Sequence, residues 1–188
     1  MSGKLGQPTT TVLLSGGMDS AACLGFYIDQ GVLPSAVFVG YGQPAEHDEE
    51  KASHQVAAFY DVALTAVTYR PHRKFAAGYI PHRNAFLVAC GLMELGDGRG
   101  VLAIGVHEGS SYPDCEPQFL EAVQRMSDVT TGGRISIQAP FLAWSKPSVL
   151  GLCDRLEVPL NLTWSCENRG PLPCGGCASC IDRGLIDA

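Results

Sequence analysis

Apolar residues along this chain recur with two different periods. Short runs of strand-forming residues occur at Thr11–Leu14, Ala36–Val39, Val62–Val67, Val101–Ile104 and Ile135–Gln138, most of them stopped by glycine, proline or a polar turn. Such runs predict buried β-strands. Between them lie longer stretches with helical spacing. These cover 19–30, closed by Gly31; 46–60, opening on Glu46, Asp48, Glu49 and Glu50; 83–95, closed by Gly96-Asp97-Gly98; 116–127, with Pro117 in its first turn; and 146–156, with Pro147 likewise. Early acidic residues, N-terminal proline and C-terminal glycine are the punctuation that helices favour. Strand and helix alternate as far as Leu156. That alternation predicts an α/β fold: a Rossmann-like open parallel sheet of about five strands with helices on both faces. Residues 68–82 hold Arg70, His72, Arg73, Lys74 and His82 together with Pro71 and Pro81 and read as a functional loop. From Trp164 the periodicity fades. The expectation is one domain over 1–188, with a core over 8–160 and a small appendage over 161–188.

Composition narrows the classes. A length of 188 residues corresponds to one domain of about 150 residues. Lys+Arg 13 against Asp+Glu 19 gives a net charge of −6, a poor surface for coating nucleic acid, although a local basic pocket is compatible with it. No apolar run approaches the roughly 20 residues of a membrane span. Met1–Thr10 lacks the charged and apolar regions of a secretory signal, so the expectation is a cytoplasmic protein without a membrane partner. The eight cysteines are then expected to bind metal or pack rather than form disulfides.

In parallel sheets of this kind ligands bind at the carboxyl ends of the strands. Three loops fall there: 15–20, 40–43 and 105–115. The first is Ser15-Gly16-Gly17-Met18-Asp19-Ser20, between a strand and a helix. Its glycines allow a tight turn and close approach to an anion, and the helix N-terminus supplies amides and dipole. Asp19 can hold Mg²⁺ or orient the loop. No Gly-Lys-Ser/Thr follows, so this is not the Walker loop. Gly109-Ser110-Ser111-Tyr112-Pro113-Asp114-Cys115 carries a flat ring at Tyr112 and a carboxylate at Asp114, which could bond the donor edge of a base or cap a helix. In Pro81-His82-Arg83-Asn84 the arginine opens a helix, where the dipole opposes it. It is either an anion clamp or a solvated arginine beside a proline turn. The appendage contains Cys166, Cys174, Cys177 and Cys180 in C-x7-C-x2-C-x2-C spacing. Four thiolates suit one tetrahedral Zn²⁺ in a closed, structural site, with an iron–sulfur cluster as the rival reading. Cys23, Cys90 and Cys153 lie on predicted helices and read as core residues.

The loop at 15–20 resembles the pyrophosphate-binding loop of the ATP pyrophosphatase superfamily, whose members split ATP between the α and β phosphates to adenylate an oxygen. The wider set resembles the 7-cyano-7-deazaguanine synthase family of queuosine biosynthesis. It comprises Tyr41-Gly42-Gln43, Pro81-x-Arg83-Asn84, Tyr112-Pro113-Asp114-Cys115, Ala139-Pro140 with Ser145-Lys146, and Thr163-Trp164-Ser165-Cys166 leading into the cysteine tail. The resemblance runs from Thr10 nearly to the end. It implies an adenine nucleotide alpha hydrolase-like fold and an enzyme using ATP, Mg²⁺ and one structural Zn²⁺ to convert 7-carboxy-7-deazaguanine and ammonia to the nitrile, commonly as a homodimer. By the same resemblance Ser15, Gly16, Gly17, Met18, Asp19 and Ser20 hold the nucleotide, and Asp19, Arg83 and Lys146 are catalytic. Tyr41, Gln43, Arg83, Asn84, Tyr112 and Asp114 meet the substrate. His82 stands where the family carries glycine, Ser111 where it carries glycine, and Glu116 where it carries arginine; the stretches around 68–80 and 127–137 are shortened. Because these changes fall near the expected substrate residues, the alternatives are an enzyme that stops at the amide or joins the acid to another amine, or a tRNA-thiolating enzyme with Cys115 as its loop cysteine. A nucleic-acid-binding zinc module is disfavoured: after Cys166 the tail has Arg169 and Arg183 against Glu167, Asp182 and Asp187.

Overall fold

The computed structural model describes residues 9–96, 98–107 and 112–184; Asp97 and the stretch Gly109–Ser111 of the third motif lie outside them. Five strands, β1 (Thr9–Leu13), β2 (Ser35–Gly40), β3 (Leu64–Thr68), β4 (Gly100–Ile104) and β5 (Ile135–Gln138), form one sheet. Its order is β3-β2-β1-β4-β5, and all four pairings are parallel. The helices are α1 (Met18–Asp29), α2 (Glu46–Phe59), α3 (Arg83–Leu95), α4 (Pro117–Thr131), α5 (Lys146–Arg155) and a short α6 (Ala178–Gly184).

The side-chain period of two divides the strands between two cores. Val12, Ala36 and Ala103 pack with α1, α2 and α5 through Ala21, Leu24, Val56, Val149 and Leu152. Their neighbours Leu13, Val37, Leu102 and Ile104 face the other way, onto Val88 and Cys90 of α3 and Val123 of α4. The sheet is thus covered on both faces, as parallel sheets require. Cys23, Cys90 and Cys153 are buried, as core residues should be. Among the described residues no helix is long and apolar enough to cross a membrane.

The element boundaries move for local reasons. α4 begins at Pro117, not Glu116, because a residue before proline is held extended; Glu116 has φ −93 and ψ 155. α4 also continues beyond Ser127 to Thr131, stopped by Gly132 in the left-handed region. β3 starts at Leu64, not Val62, because Val62 N–H returns to Ala57 O and Asp61 N–H to Ala58 O, with Asp61 at φ 53. That is a Schellman ending, and it consumes the first residues of the expected strand. Three features of the weakly periodic regions carry no periodic signal: α6, and 3₁₀ turns at Pro113–Cys115 and Leu160–Leu162.

His82, immediately before α3, sits at φ 68 and ψ 3. A side chain in this region is strained, whereas glycine adopts it freely. His82→Gly is expected to raise unfolding free energy by about 0.5–1 kcal/mol, measured by urea denaturation; an unchanged or lower midpoint would contradict it.

Candidate active site

A cavity of about 420 Å³ opens where β1, β2 and β4 end, lined there by Leu13, Leu14, Val39, Ile104 and Gly105. The expected rule for parallel sheets is met. The chain leaves β1 through the loop at 15–20, where Gly16 has φ +79 and a Cβ would lie 2.3 Å from Glu49 O. Only glycine lets this turn press against α2. Ser20 Oγ accepts from Ser15 N–H (3.2 Å) and donates to Gly17 O (2.8 Å), locking the loop. α1 begins at Met18 without a side-chain cap, so its first-turn amides and dipole are available at the cavity. Ser15, Gly17, Met18, Asp19 and Ser20 line the space. Gly16 is buried beneath them and serves the turn.

Asp19 accepts from Lys146 Nζ at 2.7 and 2.9 Å through both carboxylate oxygens. Lys146 opens α5 behind Ser145, whose hydroxyl accepts from Ser148 N–H. His107 Nε2 lies 3.7 Å from the same Asp19 carboxylate. One anion and one cation from opposite ends of the chain therefore meet on the cavity wall. An entering phosphate would compete with Asp19 for the lysine.

The other wall comes from β2, α2 and α3. Tyr41, Gln43, Glu49, Arg83 and Asn84 line it, with Tyr112. Gln43 accepts from Tyr41 N–H (2.8 Å) and donates to Glu49 Oε2 (2.8 Å), which fixes its amide. Burial pushes the Glu49 carboxyl up to about 7, against the opposing pull of the Gln43 hydrogen bond and the Arg83 charge. Arg83 Nε donates to Asn84 Oδ1 (3.2 Å), and Asn84 Nδ2 donates to Asp114 O (3.0 Å).

Of the residues expected to meet substrate, Asp114 is placed differently. It is 6% exposed and absent from the cavity wall. Its Oδ2 accepts from Asn84 N–H at 3.4 Å in the first turn of α3. Asp114 is the N-cap residue of neither α3 nor α4, positions held by His82 and Glu116; its carboxylate braces the first turn of α3 from outside. Glu116 is exposed and also off the main cavity wall, so the charge reversal there does not face the space. Ser111 lies outside the described residues.

The four cysteines of the appendage converge. The Sγ atoms of Cys166, Cys174, Cys177 and Cys180 all lie within 4.8 Å of one another, and Cys174 and Cys180 are 3.9 Å apart. A tetrahedral ion bound by thiolates requires a sulfur separation of roughly 3.8 Å. Hydrogen bonds from the backbone at Gly176 and Cys177 hold the Cys174 thiol down to about 6, so its metal-binding thiolate is accessible at neutral pH. The cluster could hold a metal ion. It also shapes the cavity: Glu167, Ser179 and Asp182, beside or between the ligands, line it. Trp164 N–H donates to Gly16 O (2.9 Å), and Arg183 donates to Thr163 and Leu160 carbonyls (3.2 and 2.6 Å).

The model of the family described as Queuosine biosynthesis protein QueC matches residues 9–77 and 65–185 of this chain. The chain belongs to this family. Among its relatives is the 7-cyano-7-deazaguanine synthase of Parasynechococcus marenigrum (strain WH8102), 34% identical, with 94% of this chain and 91% of that protein covered. The protein of the same name from Methanoculleus marisnigri is also 34% identical, over 91% of this chain and 90% of its own length. In structure, the predicted subunit of tRNA methyltransferase from Methanocaldococcus jannaschii superposes with a TM-score of 0.51 at 14% identity, covering 79% of this chain and 75% of that one; this likeness is one of fold.

Several residues of this QueC-family site escape sequence reasoning. Glu49 reads as one of four acids favouring a helix start, and nothing in that pattern selects it. His107 follows β4 directly, and that position was its available signal. Trp164 and Ser165 stand in the string leading to the tail, but their position against the loop at 15–20 depends on how the appendage folds back.

Glu49 gives a pH test. Its carboxyl titrates near 7 in the folded protein and at its ordinary 4.5 when free, so the folded state holds the proton longer. Stability is then highest at low pH, falls as pH rises from 4.5, and is fully reduced above 7. Glu49→Gln is expected to exceed the parent by about 1–3 kcal/mol at pH 8 and to lose that advantage at pH 4.5. Urea unfolding at the two pH values checks it; equal gaps would refute the assignment. Cys177→Ser is expected to lower metal content severalfold by elemental analysis and to weaken ATP binding, since the metal cluster holds part of the cavity wall.

Proposed function

We propose that this chain is an ATP-dependent carbon–nitrogen ligase that makes 7-cyano-7-deazaguanine from 7-carboxy-7-deazaguanine and ammonia. The observation that carries this reading is the Asp19–Lys146 pair beside the loop at 15–20, in a chain similar along nearly its whole length to synthases of that name. A carboxylate is a poor electrophile until one oxygen becomes a leaving group. In the proposed sequence that oxygen attacks the α-phosphorus of ATP, expelling pyrophosphate. Ammonia then adds to the acyl carbon, and AMP leaves with the C–O bond, giving the amide and releasing a proton. The amide oxygen then attacks the α-phosphorus of a second ATP, again expelling pyrophosphate; breaking of the C–O bond releases AMP, and loss of the remaining N–H protons yields the nitrile.

The residues suit these steps through positioning and electrostatics. The loop amides and Ser15 cradle the phosphates. Lys146, released from Asp19, and Arg83 neutralise charge developing on them. Asp19 is the carboxylate at hand for the Mg²⁺ that accompanies ATP. Tyr41, Gln43, Asn84 and Tyr112 surround the deazaguanine, with Asp114 positioning Asn84 from behind. Zn²⁺ is the ion proposed for the four thiolates, with a structural role, because four protein ligands leave no open coordination position. We further place the protein in the cytoplasm, where its eight free cysteines stay reduced, and expect it to act as a homodimer.

Incubation with ATP, Mg²⁺, ammonium and the acid should release two AMP per nitrile, followed by mass spectrometry. One AMP with accumulation of amide would favour the amide-forming reading, and no AMP would overturn both. Lys146→Met is expected to lower kcat by about 10²–10³ while leaving KM for the acid little changed.

A further inference from the structure

The segment between β3 and α3 reaches the cavity wall through Gly78. It is held at its start: Pro71 lies against Gly42, where an added Cβ would meet it at 3.0 Å, Arg70 pairs with Glu46, and Phe75 packs edge-on to Tyr41 at 5.9 Å. At its end Pro81 leads into α3. Between these anchors Gly78 lines the cavity, with φ +98 and nothing within 4 Å of where a Cβ would be. The next residue, Tyr79, is 40% exposed. Its ring stacks on Tyr112, with centroids 5.0 Å apart and planes 26° from parallel. Tyr112 itself lines the cavity.

Tyr79 therefore covers one face of the Tyr112 ring, and Gly78 and Tyr112 on either side of that contact both line the site. A flat heterocycle lying between two rings needs about 3.5 Å to each, hence roughly 7 Å between them. At 5.0 Å the pair holds nothing and must part to admit a ring. Gly78 supplies the freedom to part, because its backbone is unhindered and its side has open space. Phe75 of the same segment meets Tyr41 edge-on, whereas Tyr79 and Tyr112 lie face to face, the arrangement that can take a flat ring between two faces.

We propose that Tyr79 and Tyr112 form a two-ring clamp for the flat bicyclic ring of the substrate, with Gly78 as the hinge on which Tyr79 opens and recloses. The clamp rests on the functional reading above for the identity of the ring. It makes Tyr79 a substrate-specificity residue that the sequence motifs do not single out. It acts on the heterocycle and leaves the phosphate loop at the ends of β1 and α1 untouched.

The test uses the full chain, as parent, Tyr79→Ala and Tyr79→Phe, with calorimetric binding of 7-carboxy-7-deazaguanine and steady-state kinetics in both substrates. Stacking on an aromatic side chain contributes about 1–3 kcal/mol per base. Tyr79→Ala is therefore expected to raise Kd and KM for the acid about tenfold or more, with KM for ATP little changed. Tyr79→Phe keeps the ring and should bind the acid nearly as the parent does. Unchanged affinity in Tyr79→Ala, or an equal rise in KM for ATP, would overturn the clamp. A parent protein that releases AMP with the acid but loses nothing in Tyr79→Ala refutes the clamp alone; a parent that neither binds the acid nor releases AMP refutes the functional reading and the clamp with it.

Discussion

The cavity depends on a steric constraint at Gly16. At φ +79, with a virtual Cβ 2.3 Å from Glu49 O, this position admits no side chain. The loop leaving β1 can therefore lie directly on α2. Three things follow from that contact. The chain turns sharply enough for α1 to point its N-terminus into the space at the strand ends. Glu49 is carried to the cavity wall by the helix that packs on the loop. The Gly16 carbonyl remains free to accept from Trp164 N–H, which ties the C-terminal appendage to the same point. Gly105, after β4, makes a matching approach: a Cβ there would lie 2.6 Å from Asp19 O. The floor of the cavity is thus backbone against backbone, with glycine at both strand ends.

Charge is then placed on that floor. Asp19 and Lys146 are each partly shielded from water, where a pair interacts more strongly than at the surface. Each satisfies the other through two short hydrogen bonds, so neither charge of the pair stands alone. In the proposed reaction a phosphate would supply Lys146 with a second anion and free the carboxylate for a metal ion. By that exchange a chain of net charge −6 would bind a polyphosphate through two local cations, Lys146 and Arg83, without a basic surface.

The appendage answers a different need. It contributes Cys166 to the buried residues and otherwise has little apolar core. A short segment of this kind holds a shape through cross-links, which the convergent thiolates and the Arg183 hydrogen bonds provide. Because Ser179 and Asp182 lie between or beside those cysteines and line the cavity, a metal ion held there would also hold part of the cavity wall.

Local pattern determined much of this protein. The strand and helix order follows from the two periods of apolar residues. The loop at 15–20 announces an anion site through two glycines after a strand, and the spacing of Cys166, Cys174, Cys177 and Cys180 announces a common ion. Each signal resides within a few residues, so it survives without knowledge of the fold. Tertiary structure alone decided the pairing of Asp19 with Lys146, 127 residues apart, the position of Asp114 behind the wall, the choice of Glu49 among neighbouring acids, and the stacking of Tyr79 on Tyr112. These depend on which strand ends lie side by side. In an order of β3-β2-β1-β4-β5, the crossovers bring together loops that are distant along the chain, and no local period encodes that proximity.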